Sequence, residues 1–317
     1  MKILITGSSG FIGTNLVDRL FNEGHHCRLI DILSPRVKCH LRSYRKVDIQ
    51  DFSALEEIYF DFRPEIIYHL AARTDLNGKS LSDYDANVAG VDNICRLLLD
   101  DRVDCIGIFV SSMLVCSAGH IPSDSTDYCP PNLYGESKVL GEKIVRSLLD
   151  GKIDYRILRP TSIWGPWFGE PYRFFFQHIL DRRFFKINGV QGVKTFGFID
   201  NAVSQIIASV DSHYTSRTVY YLGDNTPMGV NDWADRITNI LGRRKSVTVP
   251  YTLAKLVAIL GDLLGLIGIS FPLTSFRLQN MSTNNIIPSE FLVGVGGSSV
   301  GLDDGIAKTV RWLQDED

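Results

Sequence analysis

The sequence predicts an α/β fold, a Rossmann-type doubly wound parallel sheet with a smaller, mainly helical C-terminal substrate domain. As far as about residue 165, short aliphatic runs alternate with amphipathic stretches of helical length. The runs show no regular polar alternation, which indicates strands buried on both faces. A glycine-rich turn joins the first run to the first helical stretch, as a nucleotide-binding sheet of this kind requires.

The predicted strands of this part are 2–6, 27–31, 66–70, 105–111 and 154–159, and the helices include 11–23, 87–100 and 134–149. Pro, Gly and aromatic residues then crowd into 164–176, where a second domain is predicted to begin. A strand at 194–199, a helix from Asn201 and a strand at 218–222 predict a return to the sheet, before helices at 231–241 and 303–313. We therefore expect a sheet domain of 1–165 plus 194–225 and a substrate domain of 166–193 plus 226–317.

Composition narrows the range of partners. The chain has 317 residues, 44% of them hydrophobic, and a formal net charge of −3 with scattered Lys and Arg, which argues against a nucleic-acid partner. The first strand begins at residue 2, so we expect no signal peptide. The six cysteines have neither CxxC nor Cys/His metal spacing, and we expect buried, reduced thiols and no metal site in a cytoplasmic protein. These cysteines are Cys27, Cys39, Cys95, Cys105, Cys116 and Cys129.

The most apolar stretch, 253–271, approaches the length of about 20 residues that a membrane-spanning helix needs. It contains Lys255 and Asp262 and is interrupted by three glycines. These features predict a buried or interfacial helix pair and no stable span. Shallow contact of this stretch with a membrane surface is an alternative that the sequence leaves open. The protein is therefore expected in the cytoplasm or peripheral to the membrane.

Three glycines follow the first predicted strand in the turn Gly7-Ser-Ser-Gly10-Phe-Ile-Gly13. A tight turn, a close approach of backbone to a pyrophosphate and close packing of helix on sheet each require a position without a side chain. The N–H groups at the start of the next helix can then bind phosphate. An ordinary glycine turn is the alternative interpretation.

Asp31 ends the second strand, about twenty residues after this turn. Its carboxylate can accept both hydroxyls of an adenosine ribose and would repel a 2′-phosphate, so it favours NAD over NADP. Arg36 is close enough in sequence to bind such a phosphate, which weighs against that preference. The structural alternative for Asp31 is a turn or helix cap.

Tyr134 and Lys138 are four residues apart at the start of a predicted helix, so both lie on one helix face. An ammonium group beside a phenol stabilises phenolate, which lets the tyrosine exchange a proton with a substrate hydroxyl. Ser112 follows a buried strand and is expected at its carboxyl end, where it can share that proton. A second YxxxK, Tyr251 with Lys255, has no serine motif upstream, and we interpret it as structural.

Taken in order and spacing, these motifs resemble the extended short-chain dehydrogenase/reductase family of the NAD-dependent epimerase/dehydratase type, typified by UDP-galactose 4-epimerase. The resemblance is nearly complete from residue 1 to about 225 and only general beyond. The matching segments are 7–13, Asp31, Val47-Asp48-Ile49, His69-Leu70-Ala71-Ala72, Asn87, Ser111-Ser112, 134–138, Leu158-Arg159-Pro160 and 196–200.

The resemblance implies a role for each matching position. It implies catalysis by Ser112, Tyr134 and Lys138. Contacts with NAD are implied for Gly7, Gly10, Phe11, Ile12, Gly13, Asp31, Asp48, Ile49, Leu70, Ala71, Ala72, Asn87, Ser111, Tyr134, Lys138, Pro160 and Ile163. Contacts with the substrate are implied for Arg73, Ser112, Ser162, Lys194 and Arg277.

Several departures from the family pattern limit what the resemblance implies. Family dehydratases carry Asp-Glu directly after the residue that matches Ser112, and here Met113 and Leu114 stand in those places, which disfavours dehydration. Ser162 replaces an asparagine that is usual after the LRP motif. Lys194 takes the place of a usual arginine, so Lys194, or Arg277, would have to neutralise a diphosphate.

The resemblance favours an NAD-dependent nucleotide-sugar epimerase, most simply at C4, that forms a transient keto-sugar for polysaccharide biosynthesis. The alternatives are a nucleotide-4-keto-sugar reductase and a hydroxysteroid-type dehydrogenase. The apolar C-terminal stretch also fits an epimerase of a lipid-linked sugar. A non-catalytic NAD-sensing Rossmann protein is the alternative from another class. A homodimer through helices 87–100 and 134–149 is expected by analogy with related enzymes.

Overall fold

The computed structural model describes residues 1–100, 105–120, 122–190, 192–211, 214, 219–244, 246–266, 268–269, 271, 273–294 and 299–316, except for the side chain of residue 276. The strands are β1 Lys2–Thr6, β2 His26–Asp31, β3 Tyr44–Lys46, β4 Ile66–His69, β5 Ile106–Val110, β6 Tyr155–Pro160, β7 Ser162–Trp164, β8 Lys186–Ile187, β9 Val193–Lys194, β10 Phe196–Phe198, β11 Val219–Leu222, β12 Met228–Gly229 and β13 Thr248–Val249. The α-helices are α1 Phe11–Asn22, α2 Phe52–Phe62, α3 Ala89–Asp100, α4 Leu133–Leu149, α5 Tyr172–Leu180, α6 Ile199–Ala208, α7 Val230–Ile240, α8 Tyr251–Leu266, α9 Ser275–Ser282 and α10 Leu302–Glu316.

Seven strands form one parallel sheet in the order β11-β6-β5-β4-β1-β2-β3. The inner strands are buried on both sides, and in β1 successive residues contact opposite layers. Ile3 and Ile5 pack with Leu16 of α1, whereas Leu4 packs with Leu55 of α2. The predicted doubly wound parallel sheet is therefore confirmed.

The strand order reverses between β1 and β4, which lie side by side although two strands separate them in the chain. At such a switch point the loops that leave the two strands diverge and open a crevice at the carboxyl end of the sheet. The turn after β1 and the loop after β4 line this crevice, and the loop after β5 is its neighbour. These are the loops that carry most of the predicted site residues.

The prediction that 194–199 rejoins the main sheet is wrong. β9 pairs with β12 and β10 pairs with β7, in two separate two-stranded sheets. The reason is that β11 occupies the place beside β6 at the edge of the main sheet. The predicted strand at 218–222 is confirmed from Val219 onward, and residue 218 lies outside the described residues.

The apolar stretch forms one helix, α8, and not the predicted pair. Gly261 does not break it, because this glycine lies where the helix packs against a neighbouring backbone: a Cβ there would be 2.2 Å from the carbonyl oxygen of Leu273. Two cysteines also depart from prediction. Cys39 and Cys129 are exposed in surface segments, whereas the other four cysteines are buried.

The division into a sheet domain and a substrate domain stays a prediction. One buried cluster holds both Ile3 of β1 and Trp233 of α7, so the apolar core is continuous across the predicted boundary. Three helices were not predicted from the sequence: α5 covers part of this core, α2 packs in a second buried cluster, and α9 packs in a third, smaller one.

Candidate active site

The turn after β1 brings Gly7 and Gly13 together at the start of α1. A Cβ on Gly13 would be 2.1 Å from the carbonyl oxygen of Gly7, and Gly7 itself has a positive φ of 71°. A Cβ on Gly7 would be 2.5 Å from the backbone nitrogen of Ala71. Side chains at these positions would collide with the backbone of the turn and of the loop after β4, so the glycines let the turn close tightly. The first N–H groups of α1 have no acceptor within the helix, and they form a cradle at its N-terminus that can bind a pyrophosphate.

Asp31 lies beside this cradle at the end of β2. Its carboxylate accepts hydrogen bonds from the backbone N–H groups of Ser9 and Leu33, at 2.9 Å each. Arg36 donates to the carbonyl oxygens of Ser9 and Trp167. The carboxylate is thus fixed at the end of the strand, where the ribose of a dinucleotide would lie.

The other predicted cofactor residues line the same edge of the sheet. Ala71 donates its backbone N–H to Thr6 Oγ1 at 3.3 Å, which places Leu70, Ala71 and Ala72 beside the glycine turn. Asp48 and Ile49 follow β3, where Val47 donates to the carbonyl oxygen of Asp31. Phe11 packs its ring against Phe168, and Ile12 is half-buried beside it in α1.

Tyr134 and Ser112 meet over the end of β5. Tyr134 is in the first turn of α4, whose N-cap Asn132 accepts a hydrogen bond from the N–H of Gly135 at 2.9 Å. Burial raises the pKa of Tyr134 to about 12, and a hydrogen bond with Ser112 opposes this shift. Tyr134 is therefore a neutral phenol at pH 7, and Lys138 alone does not convert it to phenolate.

Lys138 is buried one helical turn below Tyr134. Its ammonium group donates to the carbonyl oxygen of Val110 at 3.0 Å, at the end of β5. Burial lowers the pKa of Lys138 to about 8, against an opposing contribution from Glu142. At pH 7 the lysine thus keeps its proton at a site that penalises its charge.

The sequence analysis missed a buried network below Lys138. Glu142 accepts hydrogen bonds from Ser111 Oγ at 2.6 Å and from Arg159 at 2.7 and 2.9 Å. Tyr128 also donates to this carboxylate, at 3.0 Å. Arg159 and Glu142 are only 1% and 2% exposed, so this ion pair is shielded from water. A signal was available, because Glu142 continues the i, i+4 series of Tyr134 and Lys138.

His69 closes the site from the side of β4. Its Nδ1 is 2.8 Å from Thr6 Oγ1, and its Nε2 is buried without a hydrogen-bond partner among the described residues. A small cavity between β4 and α4 is lined by His69, Ser111, Lys138 and Glu142 among others. Burial lowers the pKa of His69 to about 3, and the charge on Lys138 acts in the same direction. The imidazole is therefore neutral at pH 7.

Asn87 connects the loop after β4 to the catalytic helix. It accepts from the N–H of Arg73 at 2.8 Å and donates to Ser137 Oγ of α4 at 2.9 Å. The guanidinium of Arg73 binds the carboxylate of Asp75 with two hydrogen bonds, at 2.7 and 3.1 Å. Asn87 thus fixes the loop after β4 against α4. Arg73 belongs to this loop, and its side chain forms an ion pair with Asp75.

Lys194 is buried at the end of β9 and contacts α9. Its ammonium group donates to Asn280 of α9 at 2.9 Å, and burial lowers its pKa to about 8. Arg277 is exposed one turn earlier on the same helix, so both cations are on one side of α9. β9 also bridges to Asn285, which contacts the sulfur of Met113 next to Ser112. Lys194 is therefore close to the catalytic loop, and Arg277 lies one turn of α9 from its partner Asn280.

The remaining predicted residues follow β6. Pro160 ends this strand, and Ser162 and Ile163 are buried in β7. Ser162 forms a hydrogen bond with Tyr172, which opposes the rise that burial causes in the pKa of that tyrosine. The second YxxxK is separate from the site: Tyr251 and Lys255 are both exposed on α8.

The described residues contain one group that is close enough to share a metal ion, Asp18 with Cys39 and His40. His40 Nε2 is 2.7 Å from an oxygen of Asp18, which is a hydrogen-bond distance. Two ligands of one tetrahedral zinc ion would be roughly 3.3 Å apart or more. The arrangement fits a histidine that supports α1 from the 3₁₀ helix Lys38–Arg42.

Among the described residues, the helices are all too short or too polar to cross a bilayer.

Comparisons with known proteins identify the family and the fold. The model of the NAD dependent epimerase/dehydratase family matches residues 3–216. A curated relative, the N-acetyl-alpha-D-glucosaminyl-diphospho-ditrans,octacis-undecaprenol 4-epimerase of Escherichia coli O157:H7, is 26% identical over 88% of this chain and 84% of its own length.

Two solved structures are similar over the whole chain. The UDP-glucose 4-epimerase of Thermotoga maritima, in complex with UDP-glucose, has a TM-score of 0.77 at 20% identity and covers 100% of this chain and 99% of its own. The UDP-glucuronic acid 4-epimerase of Bacillus cereus, in complex with UDP-glucuronic acid and NAD, has a TM-score of 0.75 at 19% identity and covers 100% of both chains. At these identities the likeness shows the fold.

Proposed function

The chain belongs to the NAD-dependent epimerase/dehydratase family, and from that premise we propose that it is an NAD-dependent epimerase that inverts C4 of a nucleotide-linked sugar. The observation that carries the proposal is the meeting of Tyr134 and Ser112 over the end of β5, with Lys138 one turn below. The crevice beside the glycine turn adjoins this point, so a dinucleotide bound there can reach the same sugar.

In the proposed mechanism the side chains transfer one proton from the sugar hydroxyl to the protein and back. Ser112 holds the reacting oxygen of the sugar. Tyr134 would take the proton from that oxygen as phenolate, which the charges of Lys138 and of an oxidised nicotinamide would together stabilise, and would later return it. Lys138 keeps positive charge beneath the phenol and would contact the ribose of the nicotinamide. Asn87 and the Glu142–Arg159 pair keep α4 in register with the loops after β4 and β5. NAD, held by the glycine turn and Asp31, would supply a hydride acceptor for C4 of the sugar, and return of the hydride to the opposite face of the keto-sugar would invert C4.

Epimerisation is favoured over two related reactions. A dehydratase of this family needs an acid after Ser112, and Met113 and Leu114 supply none. A reductase that draws on NADPH would have to place a 2′-phosphate against the Asp31 carboxylate. The buried free thiols and the substrate class suit a cytoplasmic enzyme of polysaccharide biosynthesis.

A panel of UDP-, dTDP- and GDP-linked sugars, each incubated with and without added NAD, tests the proposal. We expect interconversion of two epimers with no net change in NADH absorbance. Two parallel reactions test the alternatives: net consumption of NADPH with a nucleotide-4-keto-sugar would instead identify a reductase, and net oxidation of a hydroxysteroid with NAD would identify a hydroxysteroid dehydrogenase. Binding of NAD without turnover of any substrate would support the sensor alternative.

A second candidate carrier is a polyprenyl diphosphate. The undecaprenol-linked activity in the name of the Escherichia coli relative favours it. Lys194 and Arg277 could serve either carrier, since both kinds present a diphosphate next to the sugar. The panel should therefore include a polyprenyl-diphosphate sugar in detergent, and a turnover preference for it over all nucleotide sugars would decide for this carrier.

We expect Asp31 to set the preference for NAD. The wild type should bind NAD more tightly than NADP, and Asp31→Ser should narrow the ratio of the two Kd values by about tenfold, since it removes the charge that faces the added phosphate. Asp48→Ser is the control, because it should weaken the binding of both cofactors by a similar factor. Equal or tighter binding of NADP by the wild type would contradict this prediction.

We also propose a homodimer through α3 and α4. Four apolar residues on one side of α4 are only partly buried by the rest of the chain: Leu133, Leu140, Ile144 and Leu148. Packed against the same pair of helices in a second copy, they would form the core of a four-helix interface. Sedimentation should give a dimer at micromolar concentration and a monomer for Leu140→Arg. A monomeric wild type would contradict the proposal.

A further inference from the structure

Helix α8 turns its small residues inward. Ala254 and Ala258 belong to a small apolar cluster that also holds Leu273 and Leu278 of α9, and Gly261 is buried against the backbone of Leu273. Their small volumes let the helix approach its neighbours closely. The large side chains of the helix consequently face away from the protein.

The outward face of α8 carries six leucine and isoleucine residues, which are 44% to 83% exposed. At about 100° per residue they cover an arc of roughly 140° on the side opposite the small residues. These residues are Leu253, Leu256, Ile259, Leu260, Leu263 and Leu266. We call them the apolar ridge. Lys255 and Asp262 border the ridge on one flank.

Two further exposed apolar side chains extend this surface at the N-terminal end of α8. Lys186 donates its N–H to the carbonyl oxygen of Val247 at 2.8 Å, which brings Phe185 and Val247 side by side just before the helix begins. Phe185 is 40% exposed and Val247 is 74% exposed. A surface of this extent that the described residues leave largely uncovered calls for an external partner.

The positive charge around Phe185 and Val247 indicates that the partner of this surface is anionic. Segments 181–186 and 241–246 hold six basic residues and one acidic residue, whereas the whole chain has a net charge of −3. Among them Arg182, Arg183 and Arg244 are exposed. A second copy of the chain would bring the same positive segments, whereas the phosphates of an anionic bilayer would neutralise them.

We propose that the apolar ridge, with Phe185 and Val247, docks the protein on the surface of an anionic lipid bilayer. α8 would lie in the plane of the interface, with its leucines among the acyl chains and the arginines of the two neighbouring segments at the headgroups. This goes beyond the proposed reaction and does not depend on it. It would also orient the enzyme, because α9, which packs on α8, carries Arg277 and the Asn280 partner of Lys194.

Flotation with vesicles tests the docking without any substrate. The wild type should float with vesicles of phosphatidylcholine that contain about a third phosphatidylglycerol, and much less with phosphatidylcholine alone or at high salt. Leu256→Ser combined with Leu263→Ser should reduce the bound fraction about tenfold or more, since it removes two large apolar groups from the interface. Leu41→Ser combined with Leu76→Ser, at sites of similar exposure elsewhere, should change it little.

The affinity for NAD, measured for each variant, shows that the fold is retained. If the ridge variant does not fold, Arg183→Glu combined with Arg244→Glu serves instead and should abolish the preference for anionic vesicles. A wild type that stays off anionic vesicles would overturn the proposal, and so would a ridge variant that floats as well as the wild type. A ridge variant that turns a dimer into a monomer, with no flotation of the wild type, would assign the surface to a second copy and likewise overturn it.

Discussion

Replacing Tyr134 with Phe is expected to reduce turnover by roughly two to four orders of magnitude while the Kd for NAD stays nearly unchanged. The substitution removes one oxygen and keeps the ring, which packs at 6.1 Å from the ring of Tyr84. Ser112 retains its place, since its hydroxyl also accepts from the N–H of Leu114 at 3.1 Å. Only the proton carrier is lost. Turnover and equilibrium binding of NAD are measured on the same preparation.

The chain contains its own control for this experiment. Tyr251 begins the second YxxxK motif, but it lies exposed on α8 and away from the crevice. Tyr251→Phe should therefore leave turnover of a water-soluble substrate within a factor of about two. Full activity of Tyr134→Phe together with inactivity of Tyr251→Phe would show that the active site has been assigned to the wrong part of the protein. The roles given to the residues of the sheet domain would then also be wrong.

The parts of the fold that the sequence predicts well are those set by local patterns. The five predicted strands before residue 165 match β1, β2, β4, β5 and β6 within one residue at each end, since a buried parallel strand is a continuous apolar run. β3 was missed because it has only three residues, Tyr44 to Lys46, and two of them are exposed. β10 was placed in the wrong sheet, because the choice of partner depends on where β11 lies.

The candidate site likewise contains residues that local sequence patterns predict and contacts that they do not. Spacing along the chain predicts the glycine turn, Asp31 at a strand end, and the shared face of Tyr134 and Lys138. The pairing of Glu142 with Arg159 joins α4 to β6, and local spacing does not report such a contact. A charged residue inside the apolar run 154–159 was still a signal that Arg159 has a buried partner.

The orientation of α8 could not be predicted from its pattern. Both sides of this helix are apolar, so hydrophobic periodicity does not indicate which side faces the core. Packing decides it, because Gly261 and the two alanines allow a close approach that leucines would prevent. The large residues remain outside, contrary to the usual arrangement of a surface helix.

Lys138→Met should make the protein inactive and more stable at the same time. Burial of the ammonium group, which lowers the pKa of Lys138 from 10.5 to about 8, costs on the order of 3 kcal/mol at pH 7. Methionine fills a similar volume without charge, and it loses the hydrogen bond to Val110, worth about 1 kcal/mol. We expect the free energy of unfolding at pH 7 to rise by about 1 to 2 kcal/mol, while turnover falls by roughly two orders of magnitude or more and NAD binds more weakly.

The pH dependence of the free energy of unfolding tests whether the buried charge of Lys138 causes this difference in stability. Between pH 8 and 10.5 the unfolded lysine keeps its proton and the folded one has lost it, so the contribution of Lys138 to wild-type stability rises with pH in this window. The advantage of Lys138→Met should therefore be largest below pH 8 and disappear towards pH 10.5. Denaturant unfolding of both proteins at pH 7 and pH 10 measures this difference in stability.

Lys143→Met, at an exposed position of the same helix, should change neither stability nor turnover appreciably. A less stable Lys138→Met at pH 7, or one that keeps its turnover, would show that the buried ammonium is structural and not held in place for catalysis.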